Sequence, residues 1–88
     1  MKIKSGYMKT ETFDGWAVVP VEEESKRRKI MLTLNKTAAE IWDYLEEGKI
    51  PEEIVKGLSE KYGIPAEQAQ RGVDRIVASL LKEGILEK

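Results

Sequence analysis

Acidic side chains are the most numerous groups in this chain that could do chemistry. Glu22, Glu23 and Glu24 are consecutive, and Glu46-Glu47 and Glu52-Glu53 form pairs. Clustered carboxylates act as general acid and base, or hold a metal, only where burial or a fixed partner shifts their pKa. All of these fall in a loop or in a first or last helical turn, so they read as solvated surface. The basic run Lys26-Arg27-Arg28-Lys29 could meet phosphate, yet it directly follows three glutamates. It reads as a solvated loop, with attraction of an acidic peptide as its functional alternative. The chain has no Cys and no His, which removes thiolate nucleophiles, imidazole bases, disulfides and the usual zinc ligands together. No glycine-rich phosphate loop occurs. Trp42 shares a helical stripe with Ile41 and Leu45, which assigns it to the core, whereas Trp16 could lie on either face of a strand. No catalytic constellation emerges, and the expectation is a protein that is not an enzyme and uses no metal or cofactor.

The 88 residues suffice for one domain, spanning 1–88. At this size only about 60–65% of the unfolded surface can be buried. Fifteen basic and sixteen acidic residues leave a net charge of −1, so no global field draws the chain to nucleic acid or an anionic membrane. No run resembles a signal peptide or approaches the ~20 apolar residues of a membrane span. A soluble, cytoplasmic protein that selects partners by local shape is expected.

The elements that must do the selecting are organised around Leu32-Thr33-Leu34-Asn35-Lys36-Thr37-Ala38-Ala39-Glu40-Ile41-Trp42. Ile30, Leu32 and Leu34 alternate with Met31 and Thr33, the pattern of a half-buried strand. Asn35 or Thr37 can cap the helix that follows, and Thr37 with Glu40 fits a capping box. Upstream, Tyr7 to Phe13 reads as a first strand and Trp16 to Val21 as a second, joined by a type I′ turn centred on Asp14-Gly15. Pro20 lacks an N–H and should end or bulge the second strand. Ile30 to Leu34 then closes a three-stranded meander. Lys36 to Glu47 is the first helix, stopped by Gly48. The second begins at Ile50-Pro51-Glu52-Glu53, buries Ile54, Val55, Leu58 and Tyr62, and ends at Gly63. Ile64-Pro65-Ala66-Glu67 repeats that start and opens a third helix to about Glu83, with Ala69, Val73, Ile76, Val77, Leu80 and Leu81 apolar. Gly84 stops it, and Ile85 and Leu86 fold back onto the core. Three strands followed by three helices make an α+β, winged-helix-like domain.

The third strand is an edge of this meander. An uncovered edge offers unpaired N–H and C=O groups, which proteins usually blunt with charge, proline or a bulge. Ile30-Met31-Leu32-Thr33-Leu34 contains none of these. Its outward side chains, Met31 and Thr33, are adaptable and small, so an extended peptide could add as a further strand unless the third helix covers the edge.

Several stretches together resemble the PqqD family of pyrroloquinoline quinone biosynthesis. They are Trp16-Ala17-Val18-Val19-Pro20-Val21, the run from Leu32 to Trp42, Gly48, Glu53-Ile54, Tyr62-Gly63 and the closing Leu80-Leu81-Lys82-Glu83-Gly84-Ile85-Leu86. The Leu34-Asn35-x-Thr37-Ala38 sequence is the most specific of them, and the likeness covers about residues 7 to 88. Members of the family are recognition elements for ribosomally made, post-translationally modified peptides. The resemblance implies that the leader segment of a precursor peptide adds beside the third strand, in a groove walled by the third helix. It also implies a modifying enzyme as second partner, often a radical S-adenosylmethionine protein, and no chemistry by the domain itself. Carried onto this chain, the peptide meets Lys29, Ile30, Met31, Leu32, Thr33 and Leu34. Helical spacing alone then puts Val73, Ile76, Val77 and Leu80 on the groove floor, with Arg71, Asp74, Arg75 and Ala78 on its rim.

Two other readings compete. The second and third helices resemble a helix-turn-helix, which would make the chain a winged-helix DNA-binding regulator. Gln68, Gln70, Arg71 and Arg75 would then face the duplex, but Glu67 and Asp74 lie among them and the overall charge opposes it. Alternatively two copies could pair through their open edges. A monomer or weak homodimer without nucleic-acid or membrane partners is expected.

Overall fold

The computed structural model describes residues 2–21 and 32–87. Eight elements follow in order: β1 (Lys2–Ile3), β2 (Tyr7–Thr12), β3 (Gly15–Pro20), β4 (Leu32–Leu34), α1 (Lys36–Glu46), α2 (Pro51–Tyr62), α3 (Ala66–Lys82) and β5 (Leu86–Glu87). β2, β3 and β4 form an antiparallel meander in that order, and the three helices follow it. The predicted α+β architecture is present. Lys29, Ile30 and Met31 lie outside the described residues, so only Leu32, Thr33 and Leu34 of the expected third strand are seen.

The β2–β3 turn is shifted by one residue from the sequence expectation. Thr12 pairs with Gly15, so the loop is Phe13-Asp14 and Gly15 already belongs to β3. Gly15 does not adopt a positive φ. Its requirement is proximity: a Cβ there would lie 2.8 Å from the Leu34 carbonyl oxygen. The glycine therefore lets the end of β4 close against the start of β3.

The hydrogen-bond parity of the sheet follows from two observations. A two-residue hairpin loop makes its flanking residues, Thr12 and Gly15, a bonded pair. At the far end the Val21 N–H donates to the Gly6 carbonyl at 2.8 Å, again a bonded pair in the same alternation. Tyr7 and Pro20 then face each other at a non-bonded position, where the missing proline N–H costs the β2–β3 ladder nothing. As expected, the strand ends at Pro20.

A second two-stranded sheet was not foreseen. β1 pairs antiparallel with β5, Lys2 opposite Glu87 and Ile3 opposite Leu86, and the Lys4 N–H donates to the Ile85 carbonyl at 2.8 Å. The foldback of Ile85 and Leu86 holds, since they are 0% and 4% exposed, but a strand from the other end of the chain clamps it.

The core lies between the meander and the helices. Val18 and Leu34 meet Ile41, Trp42 and Leu45 of α1, Ile54 and Leu58 of α2, and Val73 and Leu80 of α3. Each fully buried side chain of this kind contributes about 1.5–3 kcal/mol. Tyr62, expected on the buried face of α2, is instead 39% exposed. It sits in the last turn of the helix, where its hydroxyl reaches Glu40 of α1.

Candidate functional site

The strand-to-helix junction takes a single residue. Asn35, extended at φ −84° and ψ −177°, presents Oδ1 to the Ala38 N–H at 2.8 Å. Of the two possible caps it is the one used, and the Thr37–Glu40 capping box does not form. Glu40 turns to α2 instead: it accepts from Lys61 Nζ at 2.8 Å and from the Tyr62 hydroxyl. These hydrogen bonds, Lys61 first, hold the Glu40 carboxyl below the usual carboxylate range. Bonding to Glu40 in turn pushes Lys61 and Tyr62 above their ordinary values. The network ties α1 to α2, and the junction fixes α1 to the sheet.

Sheet parity decides what the junction presents. Trp16 and Val18 occupy non-bonded positions toward β2, so their N–H and C=O groups point to β4. Register places Leu34 opposite Trp16, Thr33 opposite Ala17 and Leu32 opposite Val18. Leu32 and Leu34 therefore spend their main-chain groups on β3, and Thr33 directs both of its own away from the sheet. Among the described residues, no other strand pairs with this side of β4. The side chains follow the expected alternation, with Leu34 buried, Leu32 half-buried and Thr33 exposed.

The opposite edge, β2, is also unpaired among the described residues and directs Tyr7, Lys9 and Glu11 outward by the same parity. Lys9 is tied back to α1 through Asp43 Oδ1 at 2.7 Å, and its ammonium stands 5.9 Å from the Trp16 ring centroid. That contact also settles the face of Trp16, which shares the core side of β3 with Val18.

Two concavities open near the strand-to-helix junction that ends β4. One, of about 450 Å³, is bounded by the hairpin residues Thr12, Asp14, Gly15 and Trp16 and by Thr33, Leu34 and Asn35. Another, of about 420 Å³, opens beside Thr37 and is lined by Leu58, Tyr62, Ile64, Gln68, Ala69 and Gly72. The Ser59 hydroxyl donates to the Ile64 carbonyl at 2.6 Å and holds the α2–α3 turn on which the latter rests.

The α3 residues named from spacing occupy different surroundings. Val73 and Leu80 are 0% exposed within the core, Val77 is buried at 9%, and Ile76 is half-buried. Arg71, Asp74, Arg75 and Ala78 are exposed. Gln68, Gly72 and Ile76 share an i, i+4 stripe, and this is the flank of α3 that faces Thr37. Arg75 borders that stripe, Arg71 and Ala78 lie farther round, and Asp74 accepts from Gln70 at 2.7 Å on the other flank. Of the cavity-lining residues, Thr37, Ile64 and Gly72 were not assigned to any binding site by sequence, and Gln68 was placed on one only in the DNA-binding reading. A glycine in the middle of a helix with no turn to make was the signal available for one of them.

No group of three or more potential metal ligands comes together among the described residues, and no described helix is long and apolar enough to cross a membrane.

The model of the family described as coenzyme PQQ synthesis protein D (PqqD) matches residues 15–86. Two solved structures share the fold at a TM-score of 0.77. TbiB1 in complex with the TbiA(beta) leader peptide is 25% identical, covering 99% of this chain and 95% of that one. A lasso peptide synthetase B1 complexed with the leader peptide is 22% identical, covering 99% and 96%. No curated protein matches the chain at a significant level.

Proposed function

The chain belongs to the PqqD family, and from that membership we propose that it is a non-catalytic adaptor capturing the leader segment of a ribosomally made precursor peptide. The leader adds as a strand to the outer edge of β4 and is thereby presented to a modifying enzyme, of the radical S-adenosylmethionine class or another that acts on such precursors. The observation that carries this reading is the outward main chain of Thr33, beside a one-residue strand-to-helix junction with a concavity on either side of residues 35–37. Leader-peptide complexes of the same fold support it. The peptide bonds to the outward main chain of Thr33 and passes Leu32 and the α3 wall near Arg75 and Ile76, with Arg71, Asp74 and Ala78 at its outer limit. Val73 and Val77 support that wall from beneath. Both partners meet in the cytoplasm, where precursor peptides are made.

A leader is disordered when free, so binding must offset its ordering entropy with a few apolar anchors and a handful of main-chain bonds. Dissociation constants near or somewhat below about 1 μM are expected. The DNA-binding alternative is not favoured. The exposed face of α3 mixes Arg71 and Arg75 with Glu67 and Asp74, and a recognition helix needs uncompensated cations and amides to meet phosphates and base edges.

The test uses the full, isotope-labelled chain and a peptide enriched on it from a displayed library of random short peptides. Amide shifts concentrated at 32–35 and along the Gln68–Ile76 flank of α3 are expected. Shifts confined to β2, or a flat spectrum, overturn the reading.

A further inference from the structure

We propose that Gly72 holds open a side-chain subsite past the end of β4, one that admits a single large aliphatic or aromatic residue of the bound peptide. This rests on the strand-addition reading and adds to it a determinant of which peptides are chosen.

The position of Gly72 is unexplained by the fold alone. α3 runs seventeen residues, Ala66–Lys82, and glycine is the poorest helix former after proline. Gly57, the interior glycine of α2, has a packing reason: a Cβ there would come within 3.0 Å of the Tyr44 hydroxyl. At Gly72 the φ is not positive and a Cβ would meet nothing within 4 Å. Neither backbone conformation nor internal contact asks for glycine. The space it leaves forms part of the concavity of about 420 Å³ described above, a size within the roughly 300–1,000 Å³ of small-ligand clefts.

The chemistry of that space names its occupant. Leu58 and Ala69, 1% and 2% exposed, form its floor with the half-buried Ile64, and none of these carries a charge or an open hydrogen-bonding side chain. An apolar side chain is what such a floor receives. The mouth lies at Thr37, three residues beyond the end of β4. An extended chain advances about 3.3 Å per residue, so a peptide registered on Thr33 brings a residue a few positions farther along to this mouth. There the Thr37 hydroxyl and the Gln68 carboxamide can meet its main chain as it leaves the strand.

The experiment selects a displayed library of random short peptides on the full wild-type chain and on Gly72→Ala and Gly72→Leu. Wild type should enrich peptides with a large apolar residue at one fixed position relative to the residue that pairs with Thr33. Gly72→Leu should lose that preference and bind the best wild-type peptide at least tenfold more weakly, with Gly72→Ala between them. Both variants should melt at or above the wild-type temperature, because each adds a better helix former into open space. If wild type enriches β4-binding peptides and Gly72→Leu binds them equally well, the subsite is wrong while strand addition stands. A variant that melts below wild type also overturns the subsite, because the space is then not open. If wild type enriches no peptide that shifts β4 amides, strand addition fails and takes the subsite with it.

Discussion

Replacing Thr33 with proline separates the fold from the proposed function at a single atom. The Thr33 N–H points away from β3, so Thr33→Pro removes no rung of the β3–β4 ladder, and proline is tolerated at edge positions whose N–H faces outward. Leu32, the preceding residue, is already extended, as a residue before proline must be. Stability should therefore stay within about 1 kcal/mol of wild type, a melting shift no larger than roughly 4–8 °C for a domain of this size. The bound peptide loses more. One of its carbonyls forfeits a bond worth about 0.5–1.5 kcal/mol net, and if buried it adds a desolvation penalty of about 1–3 kcal/mol. At about 1.4 kcal/mol per decade, affinity should fall roughly ten- to a thousandfold. Leu32→Pro is the matched control: its N–H faces Val18, so that variant should lose much of its cooperative melting. Isothermal titration with a library-selected peptide, alongside thermal melts, reads both quantities. Wild-type affinity in a folded Thr33→Pro would refute strand addition at β4, and a Leu32→Pro more stable than Thr33→Pro would refute the parity.

Other perturbations test the frame around this edge. Gly15→Ala places a Cβ 2.8 Å from the Leu34 carbonyl oxygen; it should destabilise by about 1–3 kcal/mol and shift the β4 amides even without peptide. Leu45→Ala empties a fully buried site on α1 and should cost about 2–5 kcal/mol in a denaturant melt. Trp42→Phe should cost less than that, because the Trp42 Nε1–H is buried without a partner among the described residues and its removal relieves a penalty of about 1–3 kcal/mol. Glu40 is held below its ordinary value of 4.5 by Lys61 and Tyr62, so its contribution is complete above the unfolded value and is lost as pH falls through the lower folded one. Urea midpoints taken across the acid range should show this loss below about pH 4.5 in wild type and a flatter limb in Glu40→Gln.

Local chemistry made most of the architecture legible. Alternation marked Leu32, Thr33 and Leu34, periodicity marked Ile41, Trp42 and Leu45, and Gly48, Gly63 and Gly84 all adopt the positive φ expected of helix stops. What stayed hidden depended on distant partners. β1 and β5 are two residues each, too short for any period to show, and they exist because the two ends of the chain meet. Glu40 fitted a capping box locally and was claimed instead by Lys61 and Tyr62, about twenty residues away. Asp14-Gly15 looked like the centre of a turn because both residues favour turns, whereas Gly15 answers to the carbonyl of Leu34 across the sheet. On α3 the apolar stripe identified the core correctly but could not separate a wall facing peptide from one facing protein. Val73 and Ile76 look alike in a periodic pattern and differ in exposure only once α1 and α2 are in place.

Among the described residues both β2 and β4 are unpaired edges, which makes the choice of β4 a question of specificity as well as pairing. Among the described residues β2 is the longer edge and offers outward groups at Tyr7, Lys9 and Glu11, so main-chain bonding alone would favour it. Main-chain bonds, however, are nearly blind to sequence, and an edge that recruited by them alone would pair with any extended segment, the hazard that exposed edges pose. Among the described residues β4 offers outward main-chain groups only at Thr33, and space for side chains opens at its end and beside Thr37. A peptide gains enough to stay only if its side chains fill that space, which converts a general hazard into a selective site. The two edges should therefore respond differently to peptide composition. Scrambling a selected peptide, with length and charge kept, should abolish shifts at Thr33 and leave any weak shifts at Lys9 unchanged. Equal loss at both edges would mean that selection resides elsewhere than in the concavities beside β4.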